Sequence, residues 1–331
     1  MSDSPVPQRI GVIVGLDLVG DALMKLPFAR ALRHAFPAAE IHWITSLDKT
    51  TFASVLRDST RHLIDVVTEC PPWIDGRSVA GAPHFDVLID TRNRWKLARR
   101  ARRLPHRTFI AIAMRHLFSD RRPPLFARPP AHLVDRLLLT VSLASGREPV
   151  PAGALPVDPA LVAKARALLP AGGIYVGLAP GAGNAVKIWP REAFVALART
   201  QLARGRVPVL LLGPQESADH AALAAALPAA IFPLQAPAIW GPEPLTIQHT
   251  LAVASLLDVA VANDSGVGHM LAAVDCPLVS LFGPTAAEKL APRVTRGCIV
   301  RARDFGSSAM RAIPRDAVER AVDALLAAGS R

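Results

Sequence analysis

The sequence predicts an α/β protein of two doubly wound, parallel-sheet domains. Three observations lead there. Short apolar runs of strand length alternate with segments whose apolar residues recur at helical spacing, the pattern of a parallel sheet covered by helices. Each half of the chain opens on the same design, a strand, a Gly-containing loop and a helix. Between the halves lies SGREPVPAGALPVDP (145–159), rich in Gly and Pro as a hinge is. The predicted domains are residues 1–152 and 153–331, facing each other across a cleft.

In the first half, RIGVIVG (9–15) reads as a buried strand, and after the turn LDLVGDA the spacing predicts a helix over 23–35. AEIHWITS (39–46) and FDVLID (85–90) are further strands, with helical patterns at 50–58 and 94–103. SDRRPPLFARPPA (119–131) breaks the rhythm with four Pro and three Arg, and HLVDRLLLTVSLAS resumes as a helix. In the second half the series is GIYVGLAP strand, GAGNAVKI turn, PREAFVALARTQLA helix, VPVLLLG strand and a helix at 217–227. Strands LDVAVAN (257–263) and PLVSLFG (277–283) and a helix at 315–328 complete it.

A chain of 331 residues with 51% hydrophobic residues has enough apolar surface for two such cores, and its 30 Pro are scattered between periodic segments. Cys70, Cys276 and Cys298 are odd in number and far apart, so neither a disulfide framework nor a zinc knuckle is implied. MSDSPVPQRIGVIVG lacks a signal-peptide pattern and no window approaches the length of a membrane span. A cytoplasmic protein is expected. The formal net charge of +11 favours an acidic partner: nucleic acid, anionic headgroups or a phosphorylated substrate.

Three stretches can carry chemistry. In APGAGNAVKIWP (179–190), Gly181, Ala182 and Gly183 let the backbone approach a ligand, amides entering the helix at Pro190 favour an anion, and Lys187 adds a positive charge. By itself the stretch reads more readily as a tight turn with a solvent-facing Lys than as a site, since neither G-K-[ST] nor a third glycine follows. NDSGVGHMLAA (263–273) puts Asp264 and Ser265 at a strand end, where open α/β sheets bind ligands, with Gly266 in the turn and His269 near a helix start. That set suits ribose hydroxyls and phosphate oxygens better than hydrolysis, because G-x-S-x-G is absent. In LDLVGDALMKLP (16–27), Asp17 and Asp21 flank a turn; the pair supplies either a general base or, through Asp21, a helix cap.

No D-x-D occurs among the 19 Asp and no H-E-x-x-H is present, so metal chemistry is not expected. The strongest charge run, TRNRWKLARRARRLPHR (91–107), carries eight Lys or Arg, with Arg121 and Arg122 further on. It holds one aromatic, Trp95, which disfavours nucleic acid and leaves an anionic membrane surface or an acidic acceptor.

Taken in order, four blocks resemble the ADP-heptose:lipopolysaccharide heptosyltransferases and their relatives in glycosyltransferase family nine. They are the opening strand with its Gly-Asp turn and Leu-Pro, FDVLIDTRNRWKLARRA, APGAGNAVKIWPREAFVALA, and NDSGVGHMLAAVDCPLVSLFGPT. The resemblance implies a GT-B fold, two Rossmann-like domains with the acceptor on the first and the nucleotide sugar on the second. It implies that Asp21 is the general base, that Lys187 neutralises the departing diphosphate, and that Asp264 with the turn to His269 holds ribose and phosphates. Glu216, in LGPQES at another strand end, is expected to contact ribose or adenine, and Asp17, Arg121 and Arg122 the acceptor. The implied reaction is metal-independent, inverting transfer of heptose from ADP-heptose to an acidic lipopolysaccharide core, by an enzyme in peripheral contact with the inner face of the cytoplasmic membrane. No cofactor beyond the nucleotide sugar and no nucleic-acid partner are expected. Gly15 departs from the pattern, standing where the family often has a basic residue, and QAPAIWGPEP (235–244) matches no motif. Three rivals remain open: a transferase of this fold using another nucleotide sugar or acceptor, a nucleotide-sugar epimerase or hydrolase of the same architecture, and a non-enzymatic nucleic-acid or membrane binder on a degenerate fold.

Overall fold

The computed structural model describes residues 7–242 and 244–329. The chain divides into two compact units, Met1–Gly153 and Ala154–Arg331.

The first unit contains, in order, β1 (Arg9–Val14), α1 (Val19–Met24), α2 (Leu26–Ala35), β2 (Glu40–Thr45), α3 (Arg57–Thr60), β3 (Val66–Glu69), β4 (Phe85–Asp90), α4 (Trp95–Ala101), β5 (His106–Ala111) and α5 (Leu133–Ser145). Its five strands pair in the order β3-β2-β1-β4-β5, all parallel. β1 is buried from Ile10 onward, as an inner strand covered on both faces must be. Gly11 is required there, because a Cβ would lie 2.8–2.9 Å from the Leu88 and Phe85 side chains. Trp43 packs edge-on against Phe52 at 5.1 Å and beside Phe28, filling one face of the sheet.

The single helix expected over 23–35 is two. Pro27 in the first turn of α2 has no N–H to continue the ladder, so the chain breaks at Lys25. The helix expected at 50–58 reduces to a 3-10 turn and the single-turn α3. Two strands of this unit were not anticipated. β3 is four residues long and only partly buried, and the first residues of β5 lie inside the basic run, where polar residues mask the strand pattern.

The second unit contains α6 (Pro159–Ala167), β6 (Tyr175–Ala179), α7 (Arg191–Ala203), β7 (Val207–Leu210), α8 (His220–Ala226), α9 (Pro237–Trp240), α10 (Ile247–Ala254), β8 (Val259–Asn263), α11 (Gly266–Ala273), β9 (Leu278–Phe282), α12 (Ala287–Leu290), β10 (Gly297–Arg301) and α13 (Arg315–Gly329). The sheet order is β10-β9-β8-β6-β7, again all parallel. One core layer joins Val176, Leu178, Phe194, Val261, Leu281 and Val322 under α7 and α13. A second joins Ala179, Val209, Leu211, Ala252, Ala260 and Leu271 under α10 and α11. Among the described residues no helix is long and apolar enough to cross a membrane.

Candidate active site

In the order β10-β9-β8-β6-β7, the direction of winding reverses between β6 and β8. Loops leaving neighbouring strands at such a point part to opposite faces, and the crevice at the strand C-termini is where open α/β sheets take ligands. The two loops that leave there are Pro180–Ile188 after β6 and Asp264–Ser265 after β8, the two second-half stretches singled out in the sequence.

Asn263, the last residue of β8, ties them together. Its buried amide donates to the Pro180 carbonyl at 2.8 Å and accepts from the Trp189 backbone N–H at 3.1 Å. The Trp189 ring is buried and donates to the Ile313 carbonyl at 3.0 Å, which fixes the end of the loop that carries Lys187. Lys187 Nζ lies 2.7 Å from Asp264 Oδ2, and Thr285 donates to the same oxygen at 2.6 Å. Thr285 closes the Phe-Gly-Pro-Thr stretch after β9, so that motif serves to orient Asp264.

Beside this pair lies a cavity of about 490 Å³. Gly181, Ala182 and Gly183 form one wall, Gly213 to Ser217 a second, and Ser265, Gly266 and Val267, at the start of α11, a third. Leu234, Leu245, Ile247 and Met270 supply apolar surface. Glu216 accepts from the Gly213 N–H at 2.9 Å. Its carboxylate fills the space of a missing side chain: a Cβ at Gly181 would be 2.1 Å from Glu216 Oε1. Two polar atoms at this cavity are buried without a partner, Ser265 Oγ and Gln235 Oε1. Backbone amides, a helix start and unpaired polar atoms around an apolar floor suit a ligand with a flat ring and an anionic tail.

The first sheet, β3-β2-β1-β4-β5, has its own reversal between β1 and β4. At the end of β4, Asp90 and Arg92 form a buried two-pronged pair, Nε to Oδ1 and Nη2 to Oδ2, both 2.8 Å. After β1, Asp17 is fully buried and accepts from Lys25 Nζ at 2.6 Å, Trp43 Nε1 at 2.9 Å and Thr50 Oγ1 at 2.7 Å. Lys25 also donates to the Asp21 carbonyl at 3.1 Å, so the buried pair holds the turn that presents Asp21. Asp21 itself is half-buried in the first turn of α1. Burial pushes its carboxyl above the ordinary carboxylate range; the Lys25 charge opposes the rise and the Asp17 charge adds to it. A carboxyl displaced upward in this way holds a proton more tightly than an exposed one, which suits it to act as a base.

Several expectations are corrected. Asp17 is not open to an acceptor: three donors saturate a carboxylate with no exposed surface, and its role is internal. Asp21 does not cap α1, whose N-cap is Leu18 without a side-chain bond. The guanidinium of Arg121 is committed to the last carbonyls of α5, Leu143 at 3.3 Å and Ala144 at 2.7 Å. Arg122 bonds the Ser119 carbonyl at 3.1 Å and lines a separate recess in the first unit. The helix start at the cavity is that of α11, where the sequence had pointed to the one after Pro190. Lys187, Asp264 and His269 are not among the cavity-lining residues: the first two sit beside it as an ion pair, and His269 is buried within α11. Of the basic run, Arg92 is internal. Asn263, Thr285, Gln235 and Thr246 were missed as site residues. The first two lay inside quoted motifs, and the others follow β7 in a stretch without periodicity; Glu243 there lies outside the described residues. Among the described residues no cluster of three His, Cys, Asp or Glu could hold a metal ion.

Two Rossmann-like units, each with polar residues gathered where the winding of its sheet reverses, define the fold as the GT-B type. Residues 78–315 match the sequence profile of glycosyltransferase family 9 (heptosyltransferase), and the chain belongs to that family. Among solved structures it is similar to the family 9 glycosyltransferase of Veillonella parvula, with a TM-score of 0.67, 16% identity, and coverage of 96% of this chain and 97% of that one. It is also similar to E. coli ADP-heptose LPS heptosyltransferase II, with a TM-score of 0.65, 20% identity and coverage of 98% and 100%. A third is E. coli heptosyltransferase WaaC with ADP-2-deoxy-2-fluoro heptose, with a TM-score of 0.67, 19% identity and coverage of 96% and 99%. No curated protein matches the sequence significantly.

Proposed function

We propose that this family 9 enzyme transfers heptose from ADP-heptose to the inner core of lipopolysaccharide, with inversion and without a metal. The observation that carries the reading is the second-unit cavity: a glycine loop, a helix start and an apolar floor around unpaired polar atoms, beside a lysine held by Asp264. In this reading the adenine lies against Leu234, Leu245 and Ile247, with its amino group toward Gln235 Oε1. Ribose is met by Glu216, and the diphosphate by the amides of Gly181–Gly183, by Ser265 and by the Gly266 end of α11. Lys187 leaves Asp264 to meet the phosphates, and the negative charge that gathers on departing ADP is where a preorganised cation lowers the barrier most. Asp21 takes the proton of the acceptor hydroxyl as its oxygen attacks the anomeric carbon, while the bond from that carbon to the diphosphate breaks on the opposite side. A carboxyl raised by burial suits that step. The basic first unit serves the acidic acceptor at the inner face of the cytoplasmic membrane.

The test is ADP release from ADP-heptose, with EDTA present, with and without a Kdo-bearing acceptor. Release that requires acceptor, persists in EDTA and disappears in Asp21→Ala supports the proposal. Turnover of donor without acceptor supports an epimerase or hydrolase instead, and release unchanged by Asp21→Ala removes the assigned base.

A further inference from the structure

The segregation of charge along this chain is sharper than its net value suggests. Residues 91–131 hold twelve of the 38 Lys and Arg and one of the 27 acidic residues, which leaves the rest of the chain neutral, with 26 of each sign. At the end of that segment the loop 121–131 projects two large apolar side chains into solvent. Leu125 is 89% and Phe126 93% exposed, more than any other large hydrophobic residue described. They are the central residues of a turn closed by the Ala127 N–H on the Pro124 carbonyl at 2.9 Å. The turn is not a loose end. Arg121 anchors one side of the loop to the end of α5, Arg136 anchors the other by donating to the Pro130 carbonyl at 2.7 Å, and prolines flank the tip in pairs. Those prolines restrict the backbone and keep the pair from folding back onto the core. Beneath the tip is a recess of about 270 Å³ lined by Arg115, Arg122 and Arg128.

We propose that this loop is a bilayer docking site: Leu125 and Phe126 enter the acyl boundary of an anionic membrane while Arg115, Arg122 and Arg128 hold headgroup phosphates. Apolar side chains within a ring of cations match the layering of such an interface, hydrocarbon under negative charge. One aromatic at the tip gives no stacking platform for nucleic acid. The assignment rests on the membrane contact proposed above and locates it in the loop, where the basic run alone had pointed to the α4 region.

Co-sedimentation with vesicles of equimolar phosphatidylglycerol and phosphatidylcholine tests it, without donor or acceptor, so that it stands or falls apart from the transferase reading. Wild-type protein is expected to sediment with these vesicles and not with pure phosphatidylcholine. In Leu125→Ser/Phe126→Ser the partition coefficient falls about a hundredfold, roughly tenfold for each apolar side chain withdrawn from the bilayer. The unfolding midpoint of that variant and its rate with a deacylated, water-soluble acceptor stay unchanged, because neither side chain is part of the core. Wild-type protein that does not bind the anionic vesicles, binds polyuridine RNA in their place, or binds vesicles equally well without Leu125 and Phe126 overturns the proposal.

Discussion

Lys25→Met removes the cation from the buried network behind Asp21, and its cost can be worked from the contacts. Asp17 has no exposed surface and Lys25 very little, so neither charge is solvated when its partner is lost. The variant leaves a buried carboxylate with two neutral donors, Trp43 and Thr50. Breaking a buried pair in this way costs about 3–5 kcal/mol. With a urea dependence of ~2 kcal/mol per molar, the unfolding midpoint of the first unit falls by about 2 M. Asp17→Asn/Lys25→Met, which removes both charges, recovers a substantial part of the loss, and the difference between single and double variants measures the coupling. The same substitution carries a signature in activity. Lys25 opposes the upward displacement of the Asp21 carboxyl, so its removal moves that carboxyl further up, and the acid limb of kcat/KM shifts to higher pH. Urea titration by circular dichroism and a pH–rate profile read the two effects. A Lys25→Met midpoint within about 0.3 M of wild type, well below the shift expected for a broken buried pair, would refute the reasoning.

Four further substitutions have definite expected outcomes. Asp21→Asn lowers kcat/KM by about 10²–10⁴-fold, the usual contribution of a general base. Because the folded state holds the Asp21 proton more tightly than the unfolded chain, ionisation of Asp21 opposes folding. Asp21→Asn is therefore more stable than wild type at neutral pH, and the difference vanishes below the ordinary carboxylate pKa, as thermal melts across pH would show. Asn263→Ala strands the Trp189 N–H and the Pro180 carbonyl and costs about 2–4 kcal/mol in chemical denaturation. Gly181→Ala displaces Glu216 from Gly213 and weakens ADP binding in calorimetry about tenfold, with little change in stability because the displaced group is a flexible side-chain end. Lys187→Ala changes stability by less than about 1 kcal/mol, since its pair with Asp264 is partly exposed, yet lowers kcat by about 10²–10³-fold.

Sequence alone determined the class of fold and pointed to loops that line the second-unit cavity, because both depend on local physics. A strand buried on both faces must be continuously apolar, which made β1, β4, β6, β8 and β9 legible. Loops that bring backbone close to a ligand need Gly, which marked Gly181, Gly183 and Gly266 next to strand ends. Edge strands β3, β5 and β10, short, only partly buried or begun by polar residues, carry no such pattern and were not read. Roles that depend on partners far along the chain were not legible either. Asp17 and Asp21 are the same residue type four positions apart, and nothing local says which is free. Trp43 and Thr50, from other elements, saturate Asp17 and leave Asp21 to be displaced by burial. Likewise Arg121 reads as surface charge until the end of α5 arrives beneath it, and Asn263 as one residue of a turn until Pro180 and Trp189 close on its amide. Lys187 stands out in its loop as a lone charge, but its ion pair with Asp264, seventy-seven residues on, appears only when β6 and β8 lie side by side. Hydrophobic periodicity is a property of a segment. The hydrogen-bonded environment of a side chain belongs to every segment that meets there, and tertiary structure alone supplies it.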